Sequence, residues 1–191
     1  TNARKSMSPS VTNLFGCPVH SDLPLPELAW PQVYTALSSG GRRAPVTKPI
    51  QVSVLERNDE SAAQPWFKVA EDGKAQLHVP GVAQYTIANS DAITIAPSRM
   101  ADSAMLRLYL LGSAMGCILH QRGLIPLHIS AVAINGQAWG FTAPSGTGKS
   151  TLAARLHRFA GCPMVCDDVA ALHALDNQPY VAGGPPLMKL S

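Results

Sequence analysis

The feature that most constrains this chain is the glycine-rich run APSGTGKS at residues 143–150. Gly146 and Gly148 permit backbone conformations that turn successive N–H groups inward, which makes a nest for an anion. An apolar run precedes this loop and an amphipathic helical pattern follows it, which is the context that a phosphate-binding loop requires. The positive end of that helix adds to the attraction for phosphate. The sequence therefore predicts a nucleotide-phosphate site, and the alternative is a glycine turn before an ordinary helix.

The side chains of this loop have separate expected tasks. Lys149 can reach the β- and γ-phosphates, and the Ser150 hydroxyl can ligate Mg²⁺. These residues therefore predict a nucleotide and Mg²⁺ as cofactors, and the family resemblance described below implies that the nucleotide is ATP. The residues predicted to hold the nucleotide are Ser145, Gly146, Thr147, Gly148, Lys149, Ser150 and Thr151.

A tight hairpin is predicted directly before the loop. Asn135 and Gly136 separate two apolar runs, and Asn-Gly is the preferred pair for a type I′ turn. In the common nucleotide-binding sheets, the strand before such a loop lies between parallel neighbours, which need long crossover connections. The hairpin instead predicts that antiparallel strands feed the loop.

Carboxylates are scarce near this loop in the sequence. After position 103 the only acidic residues are Asp167, Asp168 and Asp176. Phosphoryl transfer needs one carboxylate to hold metal and another acceptor to orient or deprotonate the nucleophile. Asp167 and Asp168 follow the apolar run PMVC, and adjacent residues at a strand end point in opposite directions, so we expect them to divide these roles. The alternative is a turn that uses one Asp while the other is solvated.

The chain has no Glu after Glu71, whereas many P-loop ATPases place a Glu after the metal-binding Asp to activate water. A second Asp in that place favours a base that acts on a substrate hydroxyl. An energy-coupling ATPase is accordingly disfavoured.

Together these motifs resemble the HPr kinase/phosphorylase family, bacterial serine kinases of protein substrates. The family carries a His, a hairpin with a glycine turn, the phosphate loop, a helix and an aliphatic stretch that ends in Asp-Asp. Here those parts are His128, INGQ, APSGTGKS, TLAARLHRFAG and PMVCDD. The runs LPLPEL, LHQRGLIPLHISAVAI and GGPPLMKL look like those of the members encoded with peptide natural products, including lasso peptides.

The resemblance implies a fold, an activity and residue roles. The implied fold is mixed α+β, a P-loop fold like that of PEP carboxykinase, preceded by a small N-terminal β region. The implied activity is ATP-dependent phosphorylation of a serine or threonine hydroxyl on a protein or small precursor peptide. Asp167 would be the catalytic base, Asp168 would help hold metal together with Ser150, and His128 would lie near the transferred phosphoryl group beside Lys149.

Two alternatives stay open beside these roles. His128 could instead be a histidine satisfied within a buried strand. The chain could also be a nucleotide-binding module without turnover, because it departs from the family at Ala143, Pro144 and Thr151. Thr151 stands where HPr kinases often have Glu.

The sequence as a whole predicts a chain of two regions. Residues 1–98 form an extended segment and a small β-rich region, because short alternating runs separated by turn residues fill 50–97. Residues 99–191 form the P-loop domain, which we expect to be incomplete at its C-terminal end. The apolar run 104–119 is short for a membrane span and contains Arg107, so we expect a buried helix.

Composition limits the kinds of partner and the cellular location that we expect for this protein. A net charge of +3 gives no reason to expect nucleic acid or a membrane as partner. Members of the family often assemble into homo-oligomers. The N-terminal residues lack the apolar core of a signal peptide. A cytoplasmic protein with reduced thiols is therefore expected, its four cysteines being Cys17, Cys117, Cys162 and Cys166.

Overall fold

The computed structural model describes residues 10–28, 48–57, 63–144, 146–175 and 178–184. Within these ranges the strands form one seven-stranded sheet and two three-stranded sheets. Three short α-helices and a 3₁₀ turn at Pro26–Leu28 accompany them. The architecture is mixed α+β with a large, mostly antiparallel sheet, which confirms the predicted class.

The large sheet is built from the N-terminal half of the chain. Its strands are β1 Ser10–Leu14, β2 Cys17–Ser21, β3 Ile50–Val54, β4 Trp66–Val69, β5 Ala75–Val79, β6 Ala83–Ala88 and β7 Ala92–Pro97. In space their order is β1-β2-β3-β7-β6-β5-β4. All neighbours pair antiparallel except β2 with β3 and β3 with β7, which are parallel. The sheet is larger than the small β region expected from the sequence, because β1 and β2 join it.

A long helical stretch covers one face of this sheet. It consists of α1 Ser103–Tyr109, a π-helical turn Leu110–Ala114 and α2 Met115–Gln121. Asp102 caps its start by accepting a hydrogen bond from the Ala104 N–H at 3.3 Å. The Tyr85 hydroxyl of β6 donates to the Leu106 carbonyl at 3.0 Å. This bond and the apolar contacts around it hold the helix on the sheet.

Among the residues that the structure describes, the stretch Ser103–Gln121 is the one helix long and apolar enough, by length and composition, to cross a membrane. It is longer than the run 104–119 on which the expectation of a buried helix was based. Leu110, Met115 and Ile118 have no exposed surface, and they belong to the core of the large sheet. The stretch therefore packs as a core helix on that side.

The C-terminal half forms the two small sheets. Its elements are β8 Ile125–Leu127, β9 Ser130–Ile134, β10 Gln137–Phe141, α3 Lys149–Ala160, β11 Met164–Asp167, β12 Ala170–Leu175 and β13 Gln178–Gly183. One sheet has the order β10-β9-β11 and the other has the order β13-β12-β8. Asn135 and Gly136 have φ values of 50° and 76°, so the predicted hairpin with a type I′ turn is confirmed.

The two small sheets share one bent antiparallel ribbon. Leu127 pairs with Ala170 in one sheet and Ser130 pairs with Asp167 in the other, in a register that continues through the gap. Inside the gap, the Asp168 N–H still donates to the Ile129 carbonyl at 3.2 Å. The ribbon therefore bends at residues 128–129 and 168–169 without losing its pairing. This bend is where the predicted His and the second Asp lie.

Gly183 of β13 makes a close contact between the two small sheets. A Cβ added to Gly183 would stand 2.1 Å from the Val165 carbonyl oxygen, which belongs to backbone and cannot easily move. We expect Gly183→Ala to lower the free energy of unfolding by about 1–3 kcal/mol or more. In the matched variant Gly112→Ala, the new methyl meets nothing within 4 Å on an exposed helical turn. It should stabilise the protein by about 0.5–1 kcal/mol. Urea denaturation checks both, and equal stabilities would contradict the proposed clash.

A buried histidine makes stability depend on pH. His173 of β12 stacks on Tyr180 with ring centroids 4.6 Å apart, and its Nε2 lies 3.0 Å from the Phe15 carbonyl oxygen. Burial lowers the pKa of His173 from its usual 6.5; the hydrogen bond to Phe15 opposes this, and the nearby charge of Arg122 adds to it. The unfolded chain therefore takes up the proton first as the pH falls.

The contribution of His173 to the free energy of unfolding is expected to be fully present above the ordinary histidine pKa of 6.5. It should decrease as the pH falls below that value. In the His173→Gln variant this part of the pH dependence should shrink, whereas the exposed His120→Gln should leave it intact. Chemical denaturation at a series of pH values measures the effect. A pH dependence that is the same in His173→Gln as in the wild type would rule out this histidine as its source.

Candidate phosphate-binding site

Three strands of one small sheet end in the same row. Phe141 of β10 pairs with Ser130 of β9, and Ser130 pairs on its other side with Asp167 of β11. The glycine-rich loop leaves β10 directly after this row, and α3 then returns against β9 and β11. The loop, the first turn of α3 and the Asp pair are therefore gathered at one edge of the sheet.

The loop has the backbone conformation that its glycines predict. Gly146 and Gly148 have φ values of 80° and 95°, a region that favours glycine. The Thr147 hydroxyl donates to the Pro144 carbonyl at 2.7 Å and closes the turn. At the start of α3, no side chain of the described residues caps the helix at Gly148. Its first N–H groups therefore lack a capping side chain, which suits an anion.

Lys149 lies in the first turn of α3 and folds back on the loop. Its ammonium donates to the carbonyl oxygens of Ala143 at 2.8 Å and Pro144 at 3.4 Å. Because an ammonium has three donors on a flexible stem, these bonds can be exchanged for bonds to phosphate oxygens. The lysine is thus held within reach of the loop in which phosphates would lie.

Asp167 is the buried member of the carboxylate pair, with an exposed fraction of 3%. Its Oδ1 accepts a hydrogen bond of 2.6 Å from the Ser130 hydroxyl. The Ser130 Oγ lies 3.5 Å from the Ser150 Oγ at the start of α3. Asp167 is therefore connected, through one serine, to the residue predicted to bind Mg²⁺.

Asp168 is the exposed member of the pair. Its side chain is 47% exposed, and its Oδ1 lies 3.1 Å from the Nδ1 of His128, which is 63% exposed. Asp168 has a φ of 102°, a left-handed conformation that is strained for a residue other than glycine. In the register of the ribbon Asp168 lies opposite Ile129, so its side chain meets His128 diagonally across the bend. The alternative that His128 is a buried strand histidine is wrong, because the residue lies between β8 and β9 and is mostly exposed.

Most of the predicted residues meet at this edge. Lys149, Ser150 and Thr151 form the first turn of α3, and Thr151 is exposed there. Ser145 and the third carboxylate, Asp176, lie outside the described residues. The sequence analysis missed Ser130. The signal that could have found it was a hydroxyl residue at the start of an otherwise apolar strand.

The thiol of Cys166, next to the carboxylate pair, is not expected to be reactive. Burial raises the pKa of the Cys166 thiol to about 12, with smaller opposing and reinforcing effects from the Ala131 backbone and the two carboxylates. Since only the thiolate is a good nucleophile, Cys166 is not expected to take part in covalent chemistry.

The oxygen donors at this edge fit the predicted metal. Among the described residues, no three His, Cys, Asp or Glu side chains lie close enough together to hold a metal ion by themselves. Mg²⁺ in nucleotide sites is held by one or two protein groups, by waters and by the phosphates, so a dedicated cage is not required. The Ser150 hydroxyl and the Asp167 carboxylate are hard oxygen ligands of the kind that Mg²⁺ prefers.

No protein-family model, no curated protein and no solved structure matches the chain. Its function must therefore be argued from the chemistry of this edge.

Proposed function

We propose that this protein transfers the γ-phosphoryl group of Mg·ATP to a serine or threonine hydroxyl of a protein or peptide. The observation that carries the proposal is the contrast between the two carboxylates beside the phosphate loop. One is buried and linked to Ser150, and the other is exposed and paired with His128. Phosphoryl transfer to a hydroxyl uses a carboxylate that holds the metal and a second acceptor that orients or deprotonates the nucleophile, and the two environments suit these two roles.

The two environments favour roles opposite to those that the family resemblance implies. Asp167 is 3% exposed and reaches Ser150 through Ser130, so it suits the metal side of the site. Asp168 is open to solvent, where an incoming hydroxyl could approach it. We therefore propose Asp168 as the general base and Asp167 as the metal-side carboxylate.

In this scheme each residue has a defined task. Bound ATP would supply the phosphoryl group, and its Mg²⁺ would neutralise part of the charge of the phosphates. Asp168 takes the proton of the acceptor hydroxyl, and the Nδ1–H of His128 holds the orientation of Asp168 Oδ1 from 3.1 Å away. Lys149 exchanges its loop carbonyls for phosphate oxygens, and the loop N–H groups hold the remaining phosphate charge.

The finer fold and the acceptor belong to the same proposal. The hairpin before the loop supports a P-loop arrangement similar to that of PEP carboxykinase, rather than a parallel nucleotide-binding sheet. The family resemblance favours a small precursor peptide as the acceptor and the cytoplasm as the location.

A second candidate function is nucleotide binding without turnover. It is favoured by the weak anchoring of α3, in which Ala153 is the one buried residue within Lys149–Ala160. A helix held so loosely could bind phosphate without keeping the catalytic groups aligned. This candidate predicts Mg·ATP binding without a phosphorylated product.

The test is incubation with γ-labelled ATP and a library of serine- and threonine-containing peptides, followed by separation of labelled peptide, ADP and free phosphate. The proposal expects labelled peptide and ADP in equal amounts. Mg·ATP binding with no label on any acceptor would support the second candidate. Rapid release of free phosphate without an acceptor would instead indicate an ATPase.

A further inference from the structure

Ser130 holds a central position at the site although no motif contains it. It is the first residue of β9, and it pairs across strands with Asp167 on one side and Phe141 on the other. Directly paired residues share one face of a sheet, so Ser130 and Asp167 lie on the same face, the one that Ser150 approaches. Ser130 is 1% exposed in the otherwise apolar strand SAVAI. A hydroxyl buried so completely is costly unless it is hydrogen-bonded.

The contacts of Ser130 determine which hydrogen bond its hydroxyl donates and which one it accepts. A serine has a single O–H donor, and a carboxylate can only accept. The 2.6 Å bond to Asp167 Oδ1 therefore uses the Ser130 proton. Toward Ser150, at 3.5 Å, Ser130 can then only accept. A hydrogen bond between the two hydroxyls therefore has to use the Ser150 proton, which leaves the Ser150 oxygen lone pairs for another partner.

We propose that Ser130 is a positioning residue for the metal side of the site: its hydroxyl orients Ser150 and Asp167 so that their remaining lone pairs converge on the cation of Mg·ATP. This inference rests on the proposed function, because it concerns the same nucleotide site. The chain of bonds runs from Ser150 through Ser130 to Asp167. These side-chain contacts connect the first turn of α3 to β11, which a helix and a strand cannot do by strand pairing.

A role limited to stability would look different. If Ser130 only satisfied the buried Asp167, its removal would lower the free energy of unfolding and affect ATP binding equally with and without metal. A positioning role instead predicts an effect on the gain in affinity that Mg²⁺ brings. That gain is the ratio of the ATP dissociation constants in EDTA and in Mg²⁺, and it needs no turnover to be measured.

The experiment is calorimetric titration of ATP, in EDTA and in Mg²⁺, into the wild type and into Ser130→Ala. We expect Ser130→Ala to bind metal-free ATP like the wild type and to lose about tenfold or more of the Mg²⁺ gain. Ser130→Thr keeps a hydroxyl and should restore much of that gain. The control is Ser113→Ala, an exposed helix serine, which should leave both constants unchanged.

A double-mutant cycle tests whether Ser130 and Asp167 act through one another. In an Asp167→Asn background the same Ser130→Ala change should cause little further loss, because the two residues act through one another. Independent, additive losses would overturn the proposal, as would a full Mg²⁺ gain in a folded Ser130→Ala. A wild type that binds ATP without any Mg²⁺ gain would overturn it together with the metal part of the proposed function. A wild type with that gain but without a labelled acceptor would leave Ser130 supported and the kinase proposal contradicted.

Discussion

Asp168→Asn is expected to lower the rate of phosphoryl transfer by about 10²–10⁴-fold, the usual contribution of a general base. Asparagine keeps the size and the left-handed backbone tolerance of the position but cannot take up a proton. Because the Asp168 side chain is 47% exposed and its Oδ1 lies beside His128, Mg·ATP affinity should change little. The rate is measured with γ-labelled ATP and an acceptor peptide, and the affinity is measured by calorimetry.

The matched variant is Asp167→Asn, which changes the neighbouring carboxylate in the same way. It should weaken the Mg²⁺-dependent part of ATP binding, because Asp167 is bonded to Ser130 beside Ser150. The reverse pattern is also informative. If Asp167→Asn binds Mg·ATP normally and loses transfer, Asp167 is the base, as the family resemblance implies, and the exchange of roles proposed above is wrong.

Lys149→Ala is expected to lower Mg·ATP affinity by about 10–100-fold, which corresponds to one or two charge-assisted hydrogen bonds. The ammonium now donates to the carbonyls of Ala143 and Pro144, so its removal also frees those two acceptors. Both effects act on the loop itself and not on the large sheet. The thermal stability of the variant should therefore remain close to that of the wild type.

Calorimetric titration of Mg·ATP measures this effect, with Lys74→Ala as the control. Lys74 is exposed in the turn between β4 and β5 and carries the same charge, so it tests for a general effect of net charge. Unchanged affinity in Lys149→Ala would show that the glycine-rich loop does not hold the phosphates. It would remove the basis of both candidate functions.

Local signals predicted several parts of the structure. The pair Asn135 and Gly136 predicted the hairpin, because few residues other than Asn and Gly accept positive φ at both turn positions. The loop glycines predicted their own left-handed geometry for the same local reason.

Other features depend on contacts between distant parts of the chain. The parallel pairing of β2, β3 and β7 joins segments whose composition carries no mark of that partnership. The bend of the ribbon was equally invisible, because it arises where two strand pairs keep one register while their sheets diverge. His128 and Asp168 meet at that bend.

The sequence by itself determined that a glycine-rich loop follows a hairpin and that two adjacent carboxylates follow a buried strand. These are statements about neighbouring residues, and backbone preferences settle them. Only the tertiary structure decided which carboxylate is buried beside Ser150, which one faces solvent, and that Ser130 lies between Asp167 and Ser150. Those outcomes depend on strand register and on the direction in which each side chain points, and a shift of one residue would exchange them.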